Sequence, residues 1–180
     1  DDDDLDAMRE IAIELSPEWA SKVSIFWADR HFSTGRFPPL DRIDFVDHGV
    51  VLVESESVRP DRPSLADIRT YLRGAPFQNW ANSAIAFVAL NSLEPKDHKS
   101  YLRTHLYPAR FIYSWATGLM ASNDDAVAFI HEHRPIGLDV DLVARALQCR
   151  REARDPDALF SDRKILLRQI DACARQLSSE

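Results

Sequence analysis

The chain is 180 residues long, 45% hydrophobic and 28% charged, with 22 Lys and Arg against 29 Asp and Glu. It is long enough to bury a core, and the composition excludes intrinsic disorder, collagen and coiled coil. The net charge of −7 falls entirely in residues 1–76, which hold 9 basic and 16 acidic side chains, whereas residues 77–180 hold 13 of each. Phosphate binding needs a basic face, so this distribution argues against double-stranded nucleic acid as a partner. An acidic first part suits a divalent metal or a cationic ligand instead. The longest apolar run, Ala84 to Leu90, is bracketed by Asn82 and Asn91. It falls far short of the about 20 residues a membrane span requires, so no membrane partner is expected. The N-terminus opens on Asp1 to Asp4 and not on the basic and apolar segments of a secretory leader. Cys149 and Cys173 have no CxxC or Cys/His metal spacing and read as buried or half-buried thiols of a reducing cytoplasm.

Taken in chain order, Asp1 to Asp4 is expected as a solvated tail, with Asp4 or Asp6 capping a first helix over Leu5 to Leu15. Met8, Ile11, Ala12 and Leu15 recur at helical spacing and predict one buried face. Ser16-Pro17 stops that helix or starts a short further turn. Val23 to Trp27 is β-branched and aromatic without alternation, which predicts a strand covered on both faces. Ser33 to Pro39 reads as a loop, and Leu40 to Val46 as a short helix ending near Gly49. Val50 to Val53 reads as a second strand, and residues 54–63, with Ser55, Ser57, Pro60 and Pro63 among charges, as a linker.

Beyond the linker only helical patterns remain. Ser64 with Asp67 three residues on predicts a capping box for a helix over Leu65 to Arg73. Further helices are expected over Phe77 to Leu93, Asp97 to Thr117 (closed by Gly118), Ser122 to His133, Asp139 to Arg154, and Pro156 or Asp157 to Leu177. The expectation is a bundle of five or six helices.

The chemistry-bearing motifs are few. Five glycines, at 35, 49, 74, 118 and 137, compose no dinucleotide or P-loop fingerprint. No HExxH or GxSxG occurs. His131 and His133 would point about 200° apart on a helix and read as surface or capping residues. Arg103 and His105 are two apart, which does not support a helical ribonuclease pair. Arg145, Arg150, Arg151 and Arg154 are interleaved with Glu152 and Asp155, the pattern of a salt-paired surface. The most distinctive segment is Arg110 to Gly118, an arginine followed by an aromatic-rich helix end. Its simplest reading is an aromatic core face with one surface arginine. Its functional reading aims Arg110 at an anionic ligand in a crevice between the two halves of the chain.

Leu106 to Gly118, followed by Ser122 to Ala126 and a helix running to Arg134-Pro135, resembles the C-terminal helical domain of aminoglycoside adenylyltransferases of the streptomycin/spectinomycin type. Leu5 to Leu15, Val23 to Trp27, Pro38-Pro39-Leu40 and Gly49 to Leu52 resemble the second half of a DNA-polymerase-β-like nucleotidyltransferase domain. The resemblance implies an α+β protein. Residues 1–58 would form the C-terminal half of a nucleotidyltransferase-like α/β unit, and residues 59–180 an all-helical domain. It implies transfer of a nucleotidyl group, adenylyl in particular, from ATP to a hydroxyl acceptor with Mg²⁺. The acceptor would be an aminoglycoside or a macromolecule such as a protein or a tRNA. The resemblance places Arg110 and Asn123 at the nucleotide phosphates and packs Tyr113 and Trp115 beneath the site. The family's Gly-Ser turn and Asp-x-Asp strand would lie upstream of residue 5, so no catalytic residue is assigned.

Two departures stand out. The family's third carboxylate would fall at Lys22, Val23 or Ser24, and its phosphate-binding lysine falls at Asn123, which can donate a hydrogen bond but carries no charge. Lys22 in place of an acid also fits a catalytically inactive binding, antitoxin or regulatory module.

Overall fold

The computed structural model describes residues 2–20, 27–29, 32, 35–50 and 60–179. The chain divides into two compact units, Asp1–Arg62 and Pro63–Glu180.

The first unit holds α1 (Asp2–Leu15), α2 (Pro17–Ala20), β1 (Trp27–Ala28), β2 (Gly35–Arg36) and α3 (Pro39–His48). The helix α1 starts within the aspartate run and not after it. Carboxylates are favoured in a first turn, where they face the positive end of the helix dipole. Two members of the apolar stripe are not in a core: Met8 is 54% and Ile11 55% exposed. The short further turn after Ser16 is present as α2. Of the expected strand over Val23 to Trp27, residues 23–26 lie outside the described residues. Trp27 and Ala28 pair antiparallel with Arg36 and Gly35, inside the segment expected to be a loop. The described strand structure is thus a two-residue ladder, and among the described residues it does not amount to the α/β unit expected. Gly35 is required there. Its φ is +118°, and a Cβ would collide with the Trp27 carbonyl across the ladder. The helix α3 is one turn longer than expected, with Pro38 at the N-cap position and Pro39 opening it. Gly49 closes it in extended, not left-handed, conformation. Val50 has no regular structure, and residues 51–59, the rest of the expected second strand and the larger part of the expected linker, lie outside the described residues.

The second unit is a helical bundle: α4 (Leu65–Arg73), α5 (Ala75–Ala89), a 3₁₀ turn (Pro95–Asp97), α6 (His98–Thr117), α7 (Asn123–His133), α8 (Val140–Arg151), α9 (Asp157–Ser161) and α10 (Ile165–Gln176). The helix expected over Phe77 to Leu93 starts two residues earlier and stops four residues earlier. Gly74 ends α4 and α5 begins at once, with Pro76 in its first turn. The expected last helix is two, because residues 162–166 close with i→i−3 hydrogen bonds that tighten the turn between α9 and α10.

The central element is α6, which packs against α4, α5, α7, α8 and α10. Tyr101, Leu106, Ala109, Phe111 and Ile112 of α6 are buried with Ile68, Leu72, Ile130, Leu142, Val143, Leu159 and Leu166. Each large apolar side chain so buried contributes about 1.5–3 kcal/mol. Pro108 sits inside α6, where it cannot donate to the carbonyl of Thr104 four residues back. That freed carbonyl accepts a 2.8 Å hydrogen bond from the Trp80 indole of α5. The defect in the helix ladder is therefore filled by a neighbouring helix. Gly118 ends α6 with φ +69°, its N–H donating to Ser114 O at 2.8 Å.

Candidate functional site

The second half of α6 presents different side chains to different neighbours, because each residue turns about 100° from the last. Arg110 is half-buried, and its Nη2 lies 3.9 Å from the Met120 sulfur. It forms no ion pair with any described carboxylate. Met120 belongs to the loop between α6 and α7. Ser114, one turn beyond Arg110, holds that loop by donating from Oγ to the Leu119 carbonyl at 2.7 Å. Asn123, half-buried, is the first residue of α7. Arg110 and Asn123 thus attend the same short loop.

The start of α7 is electrostatically tidy. The Ser122 Oγ caps it, accepting from the Asp125 N–H at 3.1 Å and donating to the Asp125 carboxylate at 2.7 Å. Asp124 forms an ion pair with Arg151 of α8. Both first-turn carboxylates of this 11-residue helix are engaged, and neither pairs with Arg110.

Tyr113 lies about 60° round α6 from Arg110 and meets Phe129 of α7 edge-on, 5.3 Å between centroids. Phe129 in turn stacks on His133 at 3.9 Å. Trp115 is turned about 140° away from Arg110 and is only 6% exposed. It packs under Arg69 and Arg73 of α4, whose guanidinium carbons stand 5.0 and 4.6 Å from the ring centroid. The fold therefore gathers Arg110, Asn123 and Tyr113 around the α6–α7 junction and gives Trp115 to α4.

Sequence reasoning missed three features. His105 is 1% exposed, with neither ring nitrogen hydrogen-bonded, and it lies 4.7 Å edge-on from Tyr101. Burial, helped by the Arg145 charge, pushes its imidazole down to about 4. Gln169, also 1% exposed, donates to Asp139 O at 3.1 Å and accepts from Asp139 N at 3.3 Å, pinning the loop before α8. That loop and α10 line a cleft of about 460 Å³ with Arg134, Asp141 and Arg168 at its rim. Third, the first unit holds a cavity of about 630 Å³ among Trp27, Phe32, Phe37 and Phe45, with Asp41, Asp44 and His48 on the lining. The Trp27 Nε1 is buried there without an acceptor, and Phe32 adopts a left-handed φ of +53°. Neither cavity is lined by Arg110, Asn123, Tyr113 or Trp115.

The remaining motifs behave as surface. His131 and His133 are exposed and engaged by Arg134 and the Phe129 carbonyl. Arg145, Arg151 and Arg154 pair with Asp162, Asp124 and Glu152. Both cysteines are free thiols, Cys149 half-buried and Cys173 buried, the latter pushed up to about 12 by desolvation. Among the described residues no helix is long and apolar enough to cross a membrane, and no three His, Cys, Asp or Glu side chains converge as a metal site. No family model, curated protein or solved structure matches the chain.

Proposed function

We propose that this chain belongs to a cytoplasmic nucleotidyltransferase that moves an adenylyl group from ATP to a hydroxyl acceptor such as an aminoglycoside. In that reaction the acceptor oxygen bonds to the α-phosphorus, the bond to pyrophosphate breaks, and the hydroxyl proton is released. The observation that carries the reading is Arg110: a half-buried guanidinium, without a described carboxylate partner, beside the loop that opens α7. A cation held partly out of water attracts phosphate oxygens more strongly than one in bulk solvent. Asn123 adds an amide donor at the same helix start, and the Tyr113–Phe129 contact keeps α6 and α7 in register beneath them.

The resemblance places the carboxylates that would hold Mg²⁺ upstream of residue 5, so the side chains named here bear on the phosphates alone. A polycationic acceptor is supported by the acidic charge of residues 1–76 and by the aromatic cavity with Asp41 and Asp44 on its lining. Calorimetric titration of ATP into the wild type and Arg110→Ala tests the reading. At least tenfold weaker binding in the variant is expected, and equal affinity in the two would refute the role of Arg110.

Lys22, where the family carries an acid, favours a second reading as an inactive module that keeps the nucleotide grip. ATP binding without pyrophosphate release, in the presence of hydroxyl acceptors, would select it.

A further inference from the structure

We propose a second anion site in the helical unit, independent of Arg110, in which Arg69 and Arg73 on the Trp115 ring clamp a tetrahedral oxyanion: inorganic phosphate or a phosphomonoester group. The two arginines are one helical turn apart on α4 and share one indole, at 5.0 and 4.6 Å. Each is held by its Nε. Arg69 donates to the Trp115 carbonyl at 3.1 Å, and Arg73 to the Leu177 carbonyl at 2.7 Å. These carbonyls close the last turns of α6 and α10, where the helix ladder leaves acceptors unused.

That arrangement explains why the arginines are ordered. It does not neutralise them. A helix C-terminus carries about −0.5 elementary charge, so two of them offset about half of the two guanidinium charges. No described carboxylate pairs with either arginine. Holding Nε inward leaves the Nη–H groups of both guanidinium planes without a protein acceptor among the described residues. Arg73 is exposed and Arg69 half-buried, so the pair is open to solvent. Two guanidinium groups one helical turn apart on α4 and both over one indole suit a ligand with three or four equivalent oxygens and two charges. A single carboxylate engages only one fork. The stacking on Trp115 and the two carbonyl anchors fix the geometry before the anion arrives.

Titration of inorganic phosphate into the full chain at constant ionic strength, read by indole fluorescence and calorimetry, tests the site. Saturable binding is expected. It weakens at least tenfold in the Arg69→Gln/Arg73→Gln variant, and the fluorescence response disappears in Trp115→Phe. The Arg69→Lys/Arg73→Lys variant keeps the charges but not the forks, and it binds at an intermediate level. The Arg69→Gln/Arg73→Gln variant keeps the ATP affinity of the wild type, which separates this site from the proposed ATP contact. A parallel titration with glycerol phosphate identifies the source. Affinity similar to that of phosphate points to a phosphomonoester group, and binding of phosphate alone to the free ion. No saturable phosphate binding by the wild type, or unchanged affinity in the double glutamine variant, would overturn the site.

Discussion

Replacing His105 by Phe should flatten the acid limb of the stability profile. The imidazole is enclosed by the bundle with neither nitrogen partnered, so the folded chain accepts only its neutral form. Its ordinary value of 6.5 is lowered to about 4 by burial first and by Arg145 second. The unfolded chain therefore binds a proton that the folded chain refuses between these two values, and stability falls as pH falls through that window. At about 1.4 kcal/mol per pH unit, the group removes about 2 kcal/mol between pH 7 and pH 5 and about 3 kcal/mol by pH 4. Phe is close in size and keeps an edge contact with Tyr101. At pH 7 the exchange also removes two unpaired ring nitrogens, a gain of about 1–3 kcal/mol before packing strain. Urea unfolding at pH 7, 6, 5 and 4.5 measures both effects. Carboxylates titrate alike in the two proteins, so the difference between the profiles isolates His105. Parallel profiles for wild type and His105→Phe would refute the buried neutral imidazole.

Trp80→Phe should cost about 1–3 kcal/mol, because the Thr104 carbonyl that Pro108 frees would lose its indole donor. In a Pro108→Ala background the backbone N–H returns to that carbonyl, and the same replacement should cost less. A double-mutant cycle by urea unfolding with no coupling between the two positions would contradict the account. Gln169→Leu should destabilise the unit by about 2 kcal/mol, since both backbone polar groups of Asp139 lose their buried partner. It should also raise amide exchange at Asp139, and unchanged exchange there would show that another group holds the loop.

The local signals in the second unit were legible because they act within a few residues. Ser64 and Asp67 form the reciprocal capping box at 3.2 and 2.9 Å. Ser122 and Asp139 cap α7 and α8, and Gly118 takes the left-handed turn that ends α6. Periodicity was a weaker guide in the first unit. Met8 and Ile11 share a stripe, yet a stripe records only which side chains could be buried together, and both are exposed. The candidate site divides in the same way. That Arg110 and Asn123 flank one loop follows from the helix end at Gly118 and the cap at Ser122. That Asp124 pairs with Arg151 of α8, and that the Arg110 guanidinium lies against the Met120 sulfur, were set by packing.

By itself the sequence determined where α4 starts, at the Ser64–Asp67 box, and where α6 ends, at left-handed Gly118, because such signals act through hydrogen bonds spanning three or four residues. The bounds of α5 and the break between α9 and α10 came from packing. Only the tertiary structure decided what each α6 side chain meets. Trp115 finds Arg69 46 residues away, Tyr101 finds the Leu159 carbonyl 58 residues away, and Arg73 finds Leu177 104 residues away. An arginine that anchors a helix end and one that remains available to an anion are the same residue in one dimension. They differ in which donors the packed neighbours leave unused.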